Sequence, residues 1–163
     1  MRSLIALLLV ILAMAVQAAP NIIGREAPVF SLPGIEGKPV NLADYKGKVV
    51  YLDFWASWCG PCRKSFGWMN ETHAKYAARG LQVIGVNVDE KSEDAQRFLK
   101  DTPAKFAIAF DAGGKYPTAY GLKGMPTSYL IGRDGKVIAE HVGFREADRA
   151  DLEARIVAAL DGK

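Results

Sequence analysis

Asp53-Phe54-Trp55-Ala56-Ser57-Trp58-Cys59-Gly60-Pro61-Cys62 is the stretch on which the reading of this chain turns. The residues leading into it, Val49 to Trp55, are apolar apart from Asp53 and rich in β-formers, the pattern of a buried strand. Beyond it, Phe66, Met69, His73 and Tyr76 recur at helical spacing, and Gly80 is placed to end the helix. The chain's two cysteines therefore sit where a strand gives way to a helix. Three residues apart on a helical turn, they are close enough to bridge with little distortion. The first lies where unpaired backbone N–H groups point outward, so local dipoles stabilise a thiolate there. That makes Cys59 the expected nucleophile, and Cys62, one turn deeper, the thiol that resolves a mixed disulfide.

Blander roles fit the pair less well. A staple closing so short a loop removes little chain entropy, about 2 kcal/mol against about 3 for a fifteen-residue loop. A zinc site needs two more ligands, and neither His73 nor His141 belongs to a second spaced pair, so no metal is expected. Haem attachment wants a histidine immediately after the second cysteine, where Arg63 stands. A redox-active dithiol remains, with no cofactor of its own. Asp53 is the candidate acid–base group beside it: burial raises a carboxyl pKa and fits it to take the Cys62 proton. The competing reading turns Asp53 to solvent by strand alternation. Trp58 is expected to shield the dithiol, Trp55 to belong to the core, and Glu90 to stand either at the site's rim or in an exposed loop.

Working outward, Val29–Leu32 and Val40–Leu42 read as a small hairpin within a turn-rich segment. Val83–Val88 and Phe106–Phe110 read as strands, with a helix between them that Ser92 can cap. Lys115–Gly121 reads as a short helix. Thr127–Ile131 and Val137–Val142 are strands joined across Gly132-Arg133-Asp134-Gly135, and Leu152, Ile156 and Leu160 stripe a last helix. Strands separated by helices pair in parallel, and the late hairpin adds antiparallel edges to the same α/β sheet. There is no internal repeat, low-complexity tract or linker, so a single domain over residues 19–163 is expected.

Residues 1–18 are set apart from that domain. Arg2 gives a positive start, Leu4 to Val16 is apolar throughout, and Val16-Gln17-Ala18 supplies small residues at a cleavage site. That is the layout of a secretory signal peptide, and the run is shorter than the ~20 residues of a membrane span. Export places the cysteines where disulfides persist. The net charge of +3 is small and its lysines and arginines are interleaved with acids, so no nucleic-acid partner is expected.

Trp58-Cys59-Gly60-Pro61-Cys62 in this setting resembles the thioredoxin superfamily. The segment Gly24–Pro28, the early hairpin, the run Cys62-Arg63-Lys64-Ser65-Phe66 and the segment Gly85–Glu90 are similar to its exported TlpA/ResA-type branch. The resemblance covers Ile23 to Leu160. It implies a thioredoxin-like fold with a central mixed sheet, an N-terminal β-hairpin and the inserted helix of that branch. It also implies a periplasmic reductase of disulfide-bonded clients, such as apocytochrome c or metal-site assembly proteins, fed by a membrane electron donor of the DsbD/CcdA kind. A monomer is expected. By the same resemblance Asp53 occupies the place of thioredoxin's buried aspartate, and Pro126 that of a cis proline facing the dithiol. Trp58, Gly60 and Pro61, with Met125 and Pro126 opposite, are then the residues that meet a client, Met125 through its backbone. The chain departs from the pattern at three places. Ser65 stands where ResA-like proteins often carry glutamate, Gly85 where thioredoxin has a buried lysine, and Gly67 where many relatives have proline.

Three other activities share parts of this pattern. A disulfide-donating oxidase of the DsbA kind has the dithiol, but usually with a histidine between the cysteines and a large helical insertion. A peroxidase needs Thr-x-x-Cys, which does not occur here. A copper-binding assembly chaperone would use the cysteines with a late histidine such as His141, but the usual Cys-x-x-x-Cys spacing is absent.

Overall fold

The computed structural model describes residues 21–162, so the leader anticipated over residues 1–18 lies outside the described residues. Their chemistry is organised around β3 (Val49–Trp55), whose every residue is buried, none above 4% exposed. It pairs in parallel with β4 (Leu81–Asn87) and antiparallel with β6 (Thr127–Ile131). Two outer strands, β5 (Ala107–Phe110) and β7 (Val137–Val142), complete a five-stranded mixed sheet in the order β5-β4-β3-β6-β7. The late hairpin thus contributes one central strand and one edge, whereas the sequence reading placed both at the margin.

Alternation along β3 divides the core. Val49, Tyr51 and Trp55 face α1 (Gly60–Tyr76), α2 (Ser92–Asp101) and α4 (Arg149–Leu160), where they meet Phe66, Met69, Phe98 and Ile156. Val50, Leu52 and Phe54 face the other way, onto Phe30, Leu32, Val40, Tyr120 and Tyr129. That second layer is built from the early hairpin, β1 (Ser31–Pro33) with β2 (Pro39–Asn41), and from α3 (Lys115–Tyr120). Both faces of β3 are consequently dry, and this is why it reads as a continuous apolar run.

Some boundaries differ from expectation. The hairpin pairs Ser31–Pro33 with Pro39–Asn41 around a 3₁₀ turn at Ile35–Gly37, leaving Val29 outside and 68% exposed. Ser92 is the first residue of α2, not its cap; Lys91 holds that place without a side-chain bond, and Glu93 and Asp94 supply the acidic first turn. On α1 the buried stripe runs through Cys62, Phe66, Met69 and Tyr76 and widens to Trp68 and Thr72, while His73 is only half-buried at its margin. Gly80, at φ 97°, takes the left-handed turn that brings the chain back into β4.

An aromatic cluster fixes α1 and α2 to the sheet behind the cysteines. Trp55 and Phe66 meet edge-on at 4.7 Å between ring centroids, and Phe98 and Phe106 lie 5.0 and 5.5 Å from Phe66. Gly85 on β4 is sealed beneath it. A Cβ at that position would stand 3.0 Å from Trp55 Nε1 and from Ile108 Cδ1, and 3.2 Å from Phe106. A lysine there has no room, which accounts for one departure from the thioredoxin pattern. Gly85→Ala is expected to lower unfolding stability by about 1–3 kcal/mol through overpacking, read as a lower midpoint in urea with an unchanged m-value.

Candidate active site

Cys59 and Cys62 are joined by a disulfide at the N-terminus of α1, with Cα atoms 5.3 Å apart. Cys59 is the helix N-cap, in extended conformation, and its sulfur accepts a hydrogen bond from the Cys62 backbone N–H at 3.3 Å. Gly60 and Pro61 fill the first turn, where the missing proline N–H costs no helical bond. The outward-facing amides and the helix dipole converge on the first sulfur, an arrangement that favours a thiolate there. The two sulfurs are not equally accessible. Cys59 retains 6% exposure, whereas Cys62 is completely buried.

The turn carrying Cys59 is tied down by Asp89, which the sequence reading passed over in favour of Glu90. Asp89 is 3% exposed and its carboxylate accepts from the Ser57 backbone N–H at 3.1 and 3.2 Å and from Ser57 Oγ at 3.2 Å. Asn87 Nδ2 donates to the same carboxylate at 2.8 Å. Glu90 is exposed. The signal available in the sequence was an Asn-x-Asp pair closing a strand, a local side-chain-to-backbone motif.

Asp53 shares the helix-covered side of β3 with Tyr51 and Trp55 and is 2% exposed, so the solvent-facing alternative fails: helices, not water, cover that face. Its Oδ2 has no hydrogen-bond partner, and burial pushes its pKa well above the ordinary carboxylate range. Across the sheet it stands opposite Gly85 on β4 and Ser128 on β6, and Ser128 in turn stands opposite His141 on β7. Tyr51, two residues before Asp53 on the same face, donates from Oη to Ser128 Oγ at 2.8 Å. Burial, and then the neighbouring Asp53 charge, raise the Tyr51 pKa against the opposing effect of that bond.

The face in front of Cys59 is an open groove lined by Trp58, Gly60, Pro61, Leu122, Lys123 and Met125. Trp58 is 71% exposed at the mouth of this groove, and Trp55 is fully buried in the core. The Met125–Pro126 peptide is cis. The turn is held by Thr127 Oγ1 donating to the Gly124 carbonyl at 2.7 Å and by the Gly143 N–H donating to the Pro126 carbonyl at 2.7 Å. Met125, between those anchors, makes no backbone hydrogen bond to another described residue. His141 faces Asp148 and α4, with Nε2 3.4 Å from Asp148 Oδ2. Among the described residues no group of three or more His, Cys, Asp or Glu side chains is placed to hold a metal, and no helix is long and apolar enough to cross a membrane.

Fold and dithiol together define the class: a thioredoxin-fold protein with a Cys-x-x-Cys pair at a helix N-terminus. The Redoxin family profile matches residues 22–156. The thiol-disulfide oxidoreductase ResA of Bacillus thuringiensis subsp. konkukian is 45% identical over 131 residues, covering 80% of this chain and 75% of that protein. ResA of Bacillus subtilis is 36% identical over 115 residues, covering 71% and 64%. A Chlorobium tepidum crystal structure, provisionally called thiol:disulfide interchange protein DsbE, superposes with a TM-score of 0.81 at 60% identity, over 83% of this chain and 95% of that one. The chain belongs to the Redoxin family, and it is a thiol–disulfide oxidoreductase that acts through redox exchange with partner proteins.

The buried carboxyl has a measurable signature. Between the ordinary carboxylate range and its own raised pKa, Asp53 holds a proton in the folded chain that it has lost in the unfolded one, so stability falls as pH rises through that window. Below the ordinary range both states are protonated and the effect vanishes. In thermal unfolding of the oxidised protein, Asp53→Asn is therefore expected to gain in Tm relative to the parent as pH rises from about 4. A pH-independent Tm difference would show that Asp53 is ionised in both states.

Proposed function

We propose that the protein is a periplasmic disulfide reductase, exported by its first 18 residues and acting as a monomeric domain from residue 19 onward. The observation that carries this reading is the asymmetry of the dithiol: Cys59 at a helix N-terminus keeps a small exposure beside an open groove, and Cys62 is fully buried on the face that also holds Asp53. The Cys59 thiolate attacks one sulfur of a client disulfide, forms a mixed disulfide and expels the first client thiolate. Cys62 then gives its proton to Asp53 and attacks Cys59 Sγ. The client leaves as a dithiol and the enzyme keeps the disulfide, two electrons having passed to the client. Trp58, Gly60 and Pro61 supply one wall for the client, and the free backbone of Met125 beside Pro126 pairs with an extended segment of it. Such main-chain recognition suits several clients, apocytochrome c and metal-site assembly proteins among them. A membrane partner of the DsbD/CcdA kind returns the electrons.

Two measurements test this. Equilibration with glutathione buffers is expected to place the Cys59–Cys62 potential near the thioredoxin end, about −270 mV, whereas a value near the DsbA end, about −120 mV, would make the protein a disulfide donor instead. Separately, Cys62→Ser is expected to accumulate a covalent adduct with a disulfide substrate on Cys59, and Cys59→Ser to form none. Equal trapping by both variants would remove the assignment of Cys59 as nucleophile.

A further inference from the structure

A group that takes a proton at each turnover must also release it, and Asp53 is 2% exposed. On its β4 side there is no hydroxyl, carboxylate or imidazole in the packing around Gly85, which stands opposite: Ile108, Phe106 and the Trp55 ring fill that space, the indole Nε1 facing Gly85. On its β6 side they are polar. Ser128 stands opposite Asp53 and accepts the Tyr51 hydroxyl, and His141 stands next in the same row. A cavity of about 10 Å³ opens between this row and α4, lined by Tyr51, Ser128 and His141 against Leu152, Arg155 and Ile156. That is room for about one water molecule with polar partners on the sheet side. The Nε2 atom of His141 is buried without a hydrogen bond, yet the side chain as a whole is 23% exposed. The His141 side chain thus borders both the cavity and solvent.

We propose that Tyr51, Ser128 and His141 form the proton exit of Asp53, with His141 as its outer relay. The inference rests on the reading of Asp53 as the acid–base partner of Cys62. Once Asp53 has become a neutral acid, it passes one proton to the Tyr51–Ser128 hydroxyl pair, whose Ser128 is its cross-strand neighbour. The pair passes a proton of its own to the imidazole, which becomes imidazolium and releases one to solvent. No electron moves, and Asp53 ends as a carboxylate. An imidazole suits the outer position because one ring nitrogen can take up a proton while the other gives one away. The charges around it are Asp148 from the turn before α4, itself paired with Arg145; Arg155 on α4, paired with Asp151; and Glu140, its neighbour on β7. Tyr51 on β3 is the remaining titratable group on the cavity wall.

The exchange can be timed directly on the full protein. The Asp53 carboxylic acid carbonyl, assigned by its disappearance in Asp53→Asn, is followed by infrared absorption after a rapid pH jump. His141→Ala and Ser128→Ala are each expected to slow its relaxation by roughly 10²-fold, the scale of a positioned proton-transfer group. Imidazole added to the buffer should restore the His141→Ala rate and leave Ser128→Ala slow, a distinction that mere loosening of the fold does not produce. Wild-type relaxation in both variants, or a slow His141→Ala that imidazole fails to rescue, overturns the relay. Should His141→Ala not fold, Ser128→Ala decides alone: slow relaxation supports the exit and wild-type relaxation overturns it. The underlying role of Asp53 is read separately, from insulin reduction by Asp53→Asn. A wild-type rate there removes the acid–base reading, whatever the relaxation shows.

Discussion

Burial of β3 on both faces is the constraint from which the rest follows. A strand covered on one side only would place alternate residues in water, and Asp53 would be an ordinary surface carboxylate. Here the hairpin layer covers Val50, Leu52 and Phe54, while the helices cover Val49, Tyr51 and Trp55. Asp53 falls on the helix side, and the lack of a partner for its Oδ2 leaves desolvation as the force that sets its proton affinity. No cation among the described residues takes the place that thioredoxin gives to lysine: Gly85 stands there, and the side chains of Trp55, Ile108 and Phe106 already occupy the space. The carboxyl is therefore tuned by exclusion of water instead of by a counter-charge.

The dithiol is set by a different physics, that of backbone amides. Cys59 caps α1 with its own sulfur, so the group that must become negative already receives an N–H. A capping sulfur is only as well placed as the turn that presents it. That turn closes on itself through the Cys59 N–H donating to the Ala56 carbonyl at 3.1 Å, and Asp89 ties it to the end of the neighbouring strand by taking both the Ser57 amide and hydroxyl. The parallel pairing of β3 and β4 makes this possible, since it brings both strand ends to the same side of the sheet.

Much of this was legible in the letters, and the reasons for success and failure are specific. The limits of β3, β6 and β7 follow from uninterrupted apolar and β-branched runs, and the cysteine spacing announces a helix N-terminus. The partners across the sheet were not legible. That Ser128 lies opposite Asp53, and His141 opposite Ser128, depends on strand order and register, which no local pattern encodes. Asp89 was hidden behind Glu90 because adjacent acids look alike until one is buried and hydrogen-bonded. His73 fitted the helical period of α1, but Trp68 and Thr72 widen the buried stripe and push it to the margin. Asp53 was legible as the one acid in an apolar strand, whereas Pro126 came to notice through the resemblance to the thioredoxin superfamily; by base frequency alone an X–Pro bond reads as trans.

Division of the site between a dry and a polar side has a further consequence for how the fold tolerates a buried acid. A fully apolar enclosure would trap the proton on Asp53, and a fully polar one would return its pKa to the ordinary range and weaken it for the acid–base role proposed beside Cys62. With the β4 side packed by aromatic rings and the β6 side carrying two hydroxyls and an imidazole, the carboxyl is dry enough to bind a proton and has a polar neighbour through which to lose it. The two requirements are met on opposite edges of a single strand. This is possible because β3 is central, with β4 parallel on one side and β6 antiparallel on the other, each bringing its own residue to the same level of the sheet.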